Sequence, residues 1–167
     1  MSVFYRSQRV GRDGRVFTMY KFRTLKNGVD RGSSFVNGEQ YTRFGWILRK
    51  TKLDEVPQVW NVLRRECNVV GPRAEEARTI ELLPQDIRAI LLSRRPGLTS
   101  LASLHYFDEG QILEKSDNPH RDYWLKIKPN KIALDIFYIQ NRDLLLDLWI
   151  VWKTAVKILK SLWITRI

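Results

Sequence analysis

Hydrophobic and polar positions change period several times along the chain, and each change predicts an element. Phe4–Val10 and Val16–Phe22 alternate, are rich in aromatic and β-branched side chains, and flank Gly11-Arg12-Asp13-Gly14. That pattern predicts a β-hairpin with a four-residue loop. Asn27 to Gly38 is polar with three glycines and reads as a surface loop. Tyr41 to Lys50, apolar at Phe44, Ile47 and Leu48, suits a short helix. At Leu53-Asp54-Glu55-Val56-Pro57 a helix is expected to start, with Asp54 as N-cap and Val59, Val62 and Leu63 as its stripe. Asn68–Val70 reads as a strand stopped by Gly71-Pro72. Glu75 to Leu83 and Pro84 to Ser93 read as helices, and Arg95-Pro96-Gly97 as a turn. Leu101 to Gln111 is expected to be loop. Helices are expected from Pro119 through Trp124, over Ile132 to Ile139, and from an Asp143 cap to about Ile164. The fold class is α+β: mostly helical, with a small N-terminal hairpin. Residues 1–167 carry no repeat or linker and are expected to form one domain.

The last helix carries an unusual pattern. At 100° per residue, Asp143, Asp147, Lys153, Thr154, Lys157, Lys160 and Ser161 fall within an arc of roughly 140°. Leucine, isoleucine, valine and tryptophan fill the opposite face, while Leu146, Ile150 and Ile164 interrupt the polar stripe. Such a helix either packs its apolar face on a core or lies in a lipid headgroup layer as an amphipathic interface helix. Lysines on one face and Trp149, Trp152 and Trp163 at the other end of the polarity scale favour the interface.

Composition narrows the partner. The 167 residues allow one modest core and exclude a large multidomain enzyme. Lys plus Arg total 29 against 18 Asp plus Glu, a formal charge of +11, which implies an anionic partner. Nucleic acid is not expected: no recognised module is present, and Asp54-Glu55 and Glu75-Glu76 interrupt any basic face. An anionic membrane surface or a phosphorylated substrate remains. The single cysteine, Cys67, excludes an internal disulfide and a paired-cysteine metal site. No stretch of about 18 apolar residues is present, so no ordinary transmembrane helix is expected.

Candidate chemistry centres on Asp54-Glu55. Adjacent acids at a helix start ordinarily serve as caps. A carboxylate can also attack phosphorus to give an acyl phosphate, splitting one hard transfer into two easier ones. Its electrophile would be anionic, so charge repulsion must be removed, and a magnesium ion held by carboxylate and phosphate oxygens does that. Arg73, after Val70-Gly71-Pro72, is either a solvated surface charge or a rigidly held phosphate fork. Lys21 and Arg23 fall on one face of the second strand, where they could meet one anion. Arg49 and Arg95 add positive charge nearby in sequence.

The order of these blocks is more specific than any one of them. Phe4-Tyr5-Arg6-Ser7-Gln8-Arg9-Val10-Gly11, Lys21-Phe22-Arg23-Thr24-Leu25, Leu53-Asp54-Glu55-Val56-Pro57-Gln58, Asn61-Val62-Leu63, Val70-Gly71-Pro72-Arg73 and Arg95-Pro96-Gly97-Leu98-Thr99 follow one another. The string resembles the bacterial sugar transferase family, the monotopic phosphoglycosyl transferases that start glycan assembly on a polyprenyl carrier. The resemblance implies transfer of a sugar-1-phosphate from a nucleoside diphosphate sugar, usually a UDP-sugar, to undecaprenyl phosphate. UMP leaves, and magnesium is required. It implies that Asp54 is the nucleophile and a magnesium ligand, and that Glu55 is its partner. By the same resemblance Arg73 would bind substrate phosphate, Arg49 would meet headgroup or phosphate, and Lys21 would be a further phosphate contact; Arg95 joins that group by its charge. The implied location is the cytoplasmic face of the bacterial inner membrane.

Departures from the family pattern fall outside the acids. Arg65-Glu66-Cys67-Asn68 stands where Gly-Asp/Glu-Met-Ser is usual, Ala74 stands for Pro, and Thr99-Ser100 for Thr-Gly. The family's apolar membrane helix normally precedes the hairpin, which here lies almost at the start of the chain. Weaker, salt-sensitive membrane attachment is therefore expected. A second reading, a catalytically impaired relative acting as an interaction or regulatory subunit, predicts lipid binding without turnover.

Overall fold

A computed structural model describes residues 2–26 and 40–164. The expected loop from Asn27 to Gly38 lies outside the described residues. The hairpin pairs β1 (Phe4–Val10) with β2 (Val16–Phe22), antiparallel, from Phe4 opposite Phe22 to Val10 opposite Val16. Its loop is five residues, 11–15, rather than the expected four, because Arg15 closes it by accepting the Gly11 N–H at 2.8 Å. Asp13 and Gly14 take the positive φ that this tight reversal needs. Along β2 the buried face runs Phe17, Met19, Lys21. The first two join Cys67 and Ala74 in a core cluster, and the third carries the same face toward the acids.

Helix α1 (Arg43–Lys50) is capped by Thr42, whose hydroxyl accepts the Gly45 N–H at 2.9 Å. A Cβ on Gly45 would lie 2.1 Å from the Thr24 carbonyl oxygen, so only glycine lets α1 cross the end of the hairpin this closely. A 3-10 helix, Leu53–Gln58, follows and runs into α2 (Val59–Leu63). Asn61, fully buried, donates to Thr18 O and Glu66 Oε2 at 2.7 Å each and accepts from the Tyr20 N–H at 3.3 Å. One amide thereby locks α2 to the middle of β2.

Two sequence blocks that looked independent are one unit. β3 (Asn68–Val70) and β4 (Gly97–Thr99) pair in parallel, so the Val-Gly-Pro-Arg block and the turn after Arg95 lie side by side. The helices α3 (Ala77–Glu81) and α4 (Gln85–Leu92) make the crossover. Leu101 to Gln111, expected as loop, instead holds α5 (Leu101–His105) and the start of α6 (Glu109–Glu114). Ser100 caps α5 by accepting the Ser103 N–H at 2.9 Å. Beyond them come α7 (Pro119–Asp122), a π-helical turn (Tyr123–Ile127), α8 (Lys128–Asn141) and α9 (Leu144–Ile164).

The last helix turns the middle of its polar stripe inward, while Asp143 and Lys160 at its ends stay exposed. Asp147 accepts the Tyr138 hydroxyl at 2.6 Å, Thr154 bonds Thr99 at 2.9 Å, and Lys157 donates to Leu104 O at 2.9 Å. Ile150, which interrupts the stripe, is fully buried with Val70 and Tyr138, and Leu146 packs beside them. Leu145, Leu148, Trp149, Trp152, Leu159 and Trp163 face outward and are exposed. Among the described residues, no helix is long and apolar enough to cross a membrane.

Candidate active site

The acids are set by an abrupt turn. Lys52 takes a left-handed backbone (φ 59°, ψ 12°), which breaks the chain away from α1 and starts the 3-10 helix. Lys52, not Asp54, thus occupies the position before the helix, and Asp54 makes no capping bond. This corrects the expected N-cap role: with the backbone reversed two residues earlier, the Asp54 carboxylate is turned to Arg49 instead. Arg49 Nη1 donates to Asp54 Oδ2 at 3.1 Å. Asp54 is 1% exposed, and its Oδ1 is buried with no hydrogen-bond partner.

Glu55 is gripped from two sides. Lys21 Nζ donates to its Oε1 at 2.6 Å, and Arg73 Nη2 lies 3.6 Å from the same oxygen. Burial alone would raise the Glu55 pKa, but Lys21 and Arg73 overcome it and hold the carboxyl far below the usual carboxylate range. The cations respond in different directions. Burial lowers the Lys21 pKa despite the attraction of Glu55. Burial also opposes the charges of Arg49 and Arg73, yet Asp54 raises the first and Glu55 raises the second overall. Lys52 is pushed down to about 8, first by burial and then by Arg49 and Arg73.

Arg73 owes its place to partners distant in sequence. Its backbone N–H donates to Asp135 Oδ2 of α8 at 3.0 Å, and its Nη1 donates to Ser103 Oγ of α5 at 3.1 Å. Asp135 is itself buried, with Oδ1 unpartnered. Burial and nearby Glu75 push its pKa up to about 6 against the pull of the Arg73 N–H. Sequence reasoning missed Asp135 and Ser103, since neither lies in a block with distinctive spacing.

Asp54, Glu55, Lys21, Arg49 and Arg73 therefore converge. Arg95 does not join them through any ion pair or hydrogen bond among the described residues: it is half-buried in the turn before β4. Arg23 lies past the end of β2, its backbone N–H on the Val3 carbonyl. Trp149, Trp152 and Trp163 belong to the outer face of α9. Apolar side chains also bracket the acidic turn. Phe44, Trp46 and Ile47 before it, and Val56, Trp60 and Leu63 after it, are all exposed.

A buried Asp54 and a half-buried Glu55 thus stand among Lys21, Arg49 and Arg73, on a turn bracketed in sequence by exposed apolar residues. The chain belongs to the bacterial sugar transferase family, whose family model matches residues 1–161. It is 33% identical over 163 residues to the UDP-glucose:undecaprenyl-phosphate glucose-1-phosphate transferase of Xanthomonas campestris pv. campestris, covering 94% of this chain and 31% of that protein. It is 33% identical over 162 residues to the UDP-N-acetylgalactosamine-undecaprenyl-phosphate N-acetylgalactosaminephosphotransferase of Aeromonas hydrophila, covering 94% of this chain and 35% of that protein. Against the exopolysaccharide production protein ExoY of Sinorhizobium fredii it is 33% identical over 171 residues, covering 92% of this chain and 68% of that protein. The chain thus spans about a third of the length of the first two relatives.

Proposed function

We propose that this chain moves a sugar-1-phosphate from a UDP-sugar to undecaprenyl phosphate, in two displacements at one phosphorus. Asp54 Oδ1 attacks the phosphorus that carries the sugar. The bond from that phosphorus to the bridging oxygen breaks, and UMP leaves with the electron pair. The aspartyl phosphosugar so formed is attacked by a phosphate oxygen of undecaprenyl phosphate, which restores the carboxylate and yields the polyprenyl diphosphosugar. The observation that carries this reading is the Asp54 carboxylate: one oxygen fixed by Arg49, the other buried and unpartnered. A buried carboxylate oxygen with no partner costs free energy unless a ligand completes it.

Arg49 fixes the attacking carboxylate, and Arg73 offers a guanidinium to a phosphate oxygen at the edge of the site. Glu55, kept ionised by Lys21 and Arg73, holds Arg73 in place. Asp54 would hold a magnesium ion through a hard carboxylate oxygen, since no cluster of three or more metal-ligating side chains exists among the described residues. Water and phosphate oxygens would complete such a shell, as magnesium prefers. When bound, the ion neutralises charge on the donor diphosphate.

The outer face of α9, with Trp149, Trp152 and Trp163, rests on the anionic inner face of the cytoplasmic membrane in this reading. The relatives act on undecaprenyl phosphate by name, which supports a lipid-borne acceptor.

The test is UMP release from a panel of UDP-sugars with undecaprenyl phosphate and magnesium in detergent. Turnover with at least one donor, a phosphosugar adduct on Asp54 by mass spectrometry, and loss of both in Asp54→Asn are expected. Full turnover by Asp54→Asn sinks the reading. Lipid binding without turnover for any donor favours the interaction-subunit alternative.

A further inference from the structure

Four cations stand around the acid pair, and three of them already bond a protein side chain. Lys21 is bonded to Glu55, Arg49 to Asp54, and Arg73 to Ser103 with Glu55 3.6 Å away. The fourth, Lys52, is different. Its ammonium has no carboxylate within 4.0 Å and no hydrogen-bond acceptor among the described residues. It stands 5.4 Å from the centroid of the Phe107 ring, a buried side chain that forms a wall beside it. Lys157 approaches the same ring at 5.5 Å, but its ammonium is committed to the Leu104 carbonyl. Of the two ammonium groups on that ring, only Lys52 retains its full donor capacity.

The backbone adds a second observation. A left-handed φ costs a side-chain-bearing residue about 1–2 kcal/mol, and glycine would remove the cost. Lys52 bears that strain two residues before Asp54, in a half-buried position. Strained non-glycine backbone of this kind concentrates where a side chain has work to do at a ligand. The half-buried Lys52 feels the repulsion of Arg49 and Arg73 and the attraction of Glu55 and Asp54, yet forms no direct ion pair with either acid.

We propose that Lys52 binds a substrate phosphate group, its ammonium braced by the Phe107 ring and aimed at the oxyanion that approaches Asp54. This inference rests on the transfer reading above for its substrate, though not for its anion-binding chemistry. The phosphate is either part of the donor's diphosphate or the monoester of the lipid acceptor. A charge-assisted bond is the shared chemistry.

Protection of lysines from acetylation in the wild-type protein, read residue by residue by mass spectrometry, tests this without any substitution. Inorganic pyrophosphate with magnesium is the probe for the donor arm, and a micellar monoalkyl phosphate the probe for the acceptor arm. At saturation, Lys52 acetylation is expected to fall about ten-fold in one or both arms, while exposed Lys115 stays unchanged. Protection by one probe alone assigns Lys52 to that substrate, and protection by both assigns it to a phosphate position they share. No protection in either arm overturns the proposal. Lys52→Asn, which tolerates the left-handed backbone, is expected to weaken binding of the protecting probe about ten-fold or more, with partial recovery in Lys52→Arg. An unchanged affinity in folded Lys52→Asn overturns it equally. A protein that protects Lys52 yet turns over no donor loses the transfer reading and keeps this site. Turnover with an unprotected Lys52 does the reverse.

Discussion

Lys21 Nζ and Glu55 Oε1 meet at 2.6 Å across 34 residues of sequence, tying the buried face of the hairpin to the acidic turn. The pair is nearly dry, with side chains 11% and 16% exposed. Removing one partner leaves the other charge buried, so Lys21→Met is expected to lower stability by about 3 kcal/mol, read by urea unfolding. The pH dependence follows from Glu55. Its folded pKa lies below its ordinary 4.5, so its contribution is present above that pH and fades as pH falls toward the folded value. The variant has already lost much of that contribution. Its stability should therefore fall less steeply than the wild type's below pH 4.5.

Asp135 has the opposite sign. Burial raises its pKa to about 6 from 3.8, so the folded state binds more protons than the unfolded state between those values. Wild-type stability loses this contribution as pH climbs from about 4 to about 6. The groups facing the carboxylate are Arg73, Glu75 and Lys131. Asp135→Asn cannot titrate and keeps an oxygen to accept the Arg73 N–H. The melting temperature of Asp135→Asn relative to wild type should rise across that interval, measured at half-unit steps. A flat difference would show that Asp135 is ionised throughout.

How far the sequence foretold this arrangement depends on range. The hairpin was legible because alternation and a Gly-rich turn are local signals, and so was the Asp143 cap, which accepts the Leu146 N–H at 2.7 Å. The loop reading of Leu101 to Gln111 missed α5 because five residues show too little periodicity, and β4 exists only through its partner β3. The acid pair was legible as a block. Its geometry was not, since the left-handed Lys52 that turns Asp54 away from a cap role leaves no compositional mark. The amphipathic pattern of α9 left two orientations open. Polar bonds at Asp147, Thr154 and Lys157 decided between them, aided by Ile150, which had looked like an interruption. Two departures from the family pattern, Cys67 and Ala74, pack in one cluster with Phe17 and Met19, away from the acids.

That cluster makes Cys67 inert. The thiol is buried, and burial followed by Glu66 pushes its pKa up to about 12. Iodoacetamide at pH 7.5 should leave the folded protein unlabelled over an hour and label it fully in guanidinium. Fast labelling of native protein would mean the cluster opens readily.

The orientation of α9 makes a prediction about lipid. Leu148 and Trp152 are 57% and 58% exposed, and neither belongs to the buried clusters around Phe17 or Tyr138. Leu148→Ser with Trp152→Ser should leave the melting temperature within about 2 °C, because exposed positions contribute little to folding. Binding to vesicles containing anionic lipid should weaken at least about ten-fold, given roughly 1.5–3 kcal/mol for each large apolar side chain fully buried. Flotation and thermal unfolding on the same samples separate the two effects. A helix whose apolar face served the fold would show the reverse: lost stability with unchanged flotation.

Lys52 and Arg65 share one backbone state, and the comparison separates strain kept for a ligand from strain without one. Both are left-handed, at φ 59° and φ 60°. Arg65 lies exposed after α2, where the family usually has glycine, and its N–H closes the turn on the Val62 carbonyl at 2.9 Å. Relief of the Cβ clash outweighs the extra freedom of glycine in the unfolded chain, so Arg65→Gly should stabilise by about 0.5–1 kcal/mol. For a chain of this size that is a rise of about 1–4 °C in Tm. Arg65→Ala keeps the Cβ and should gain nothing. Lys52→Gly should gain comparable stability, but lose the phosphate-dependent protection and most of the turnover, whereas Arg65→Gly should retain both. A stabilised Lys52→Gly with wild-type turnover would put Lys52 in the same class as Arg65: a side chain the turn carries rather than one it was bent to present.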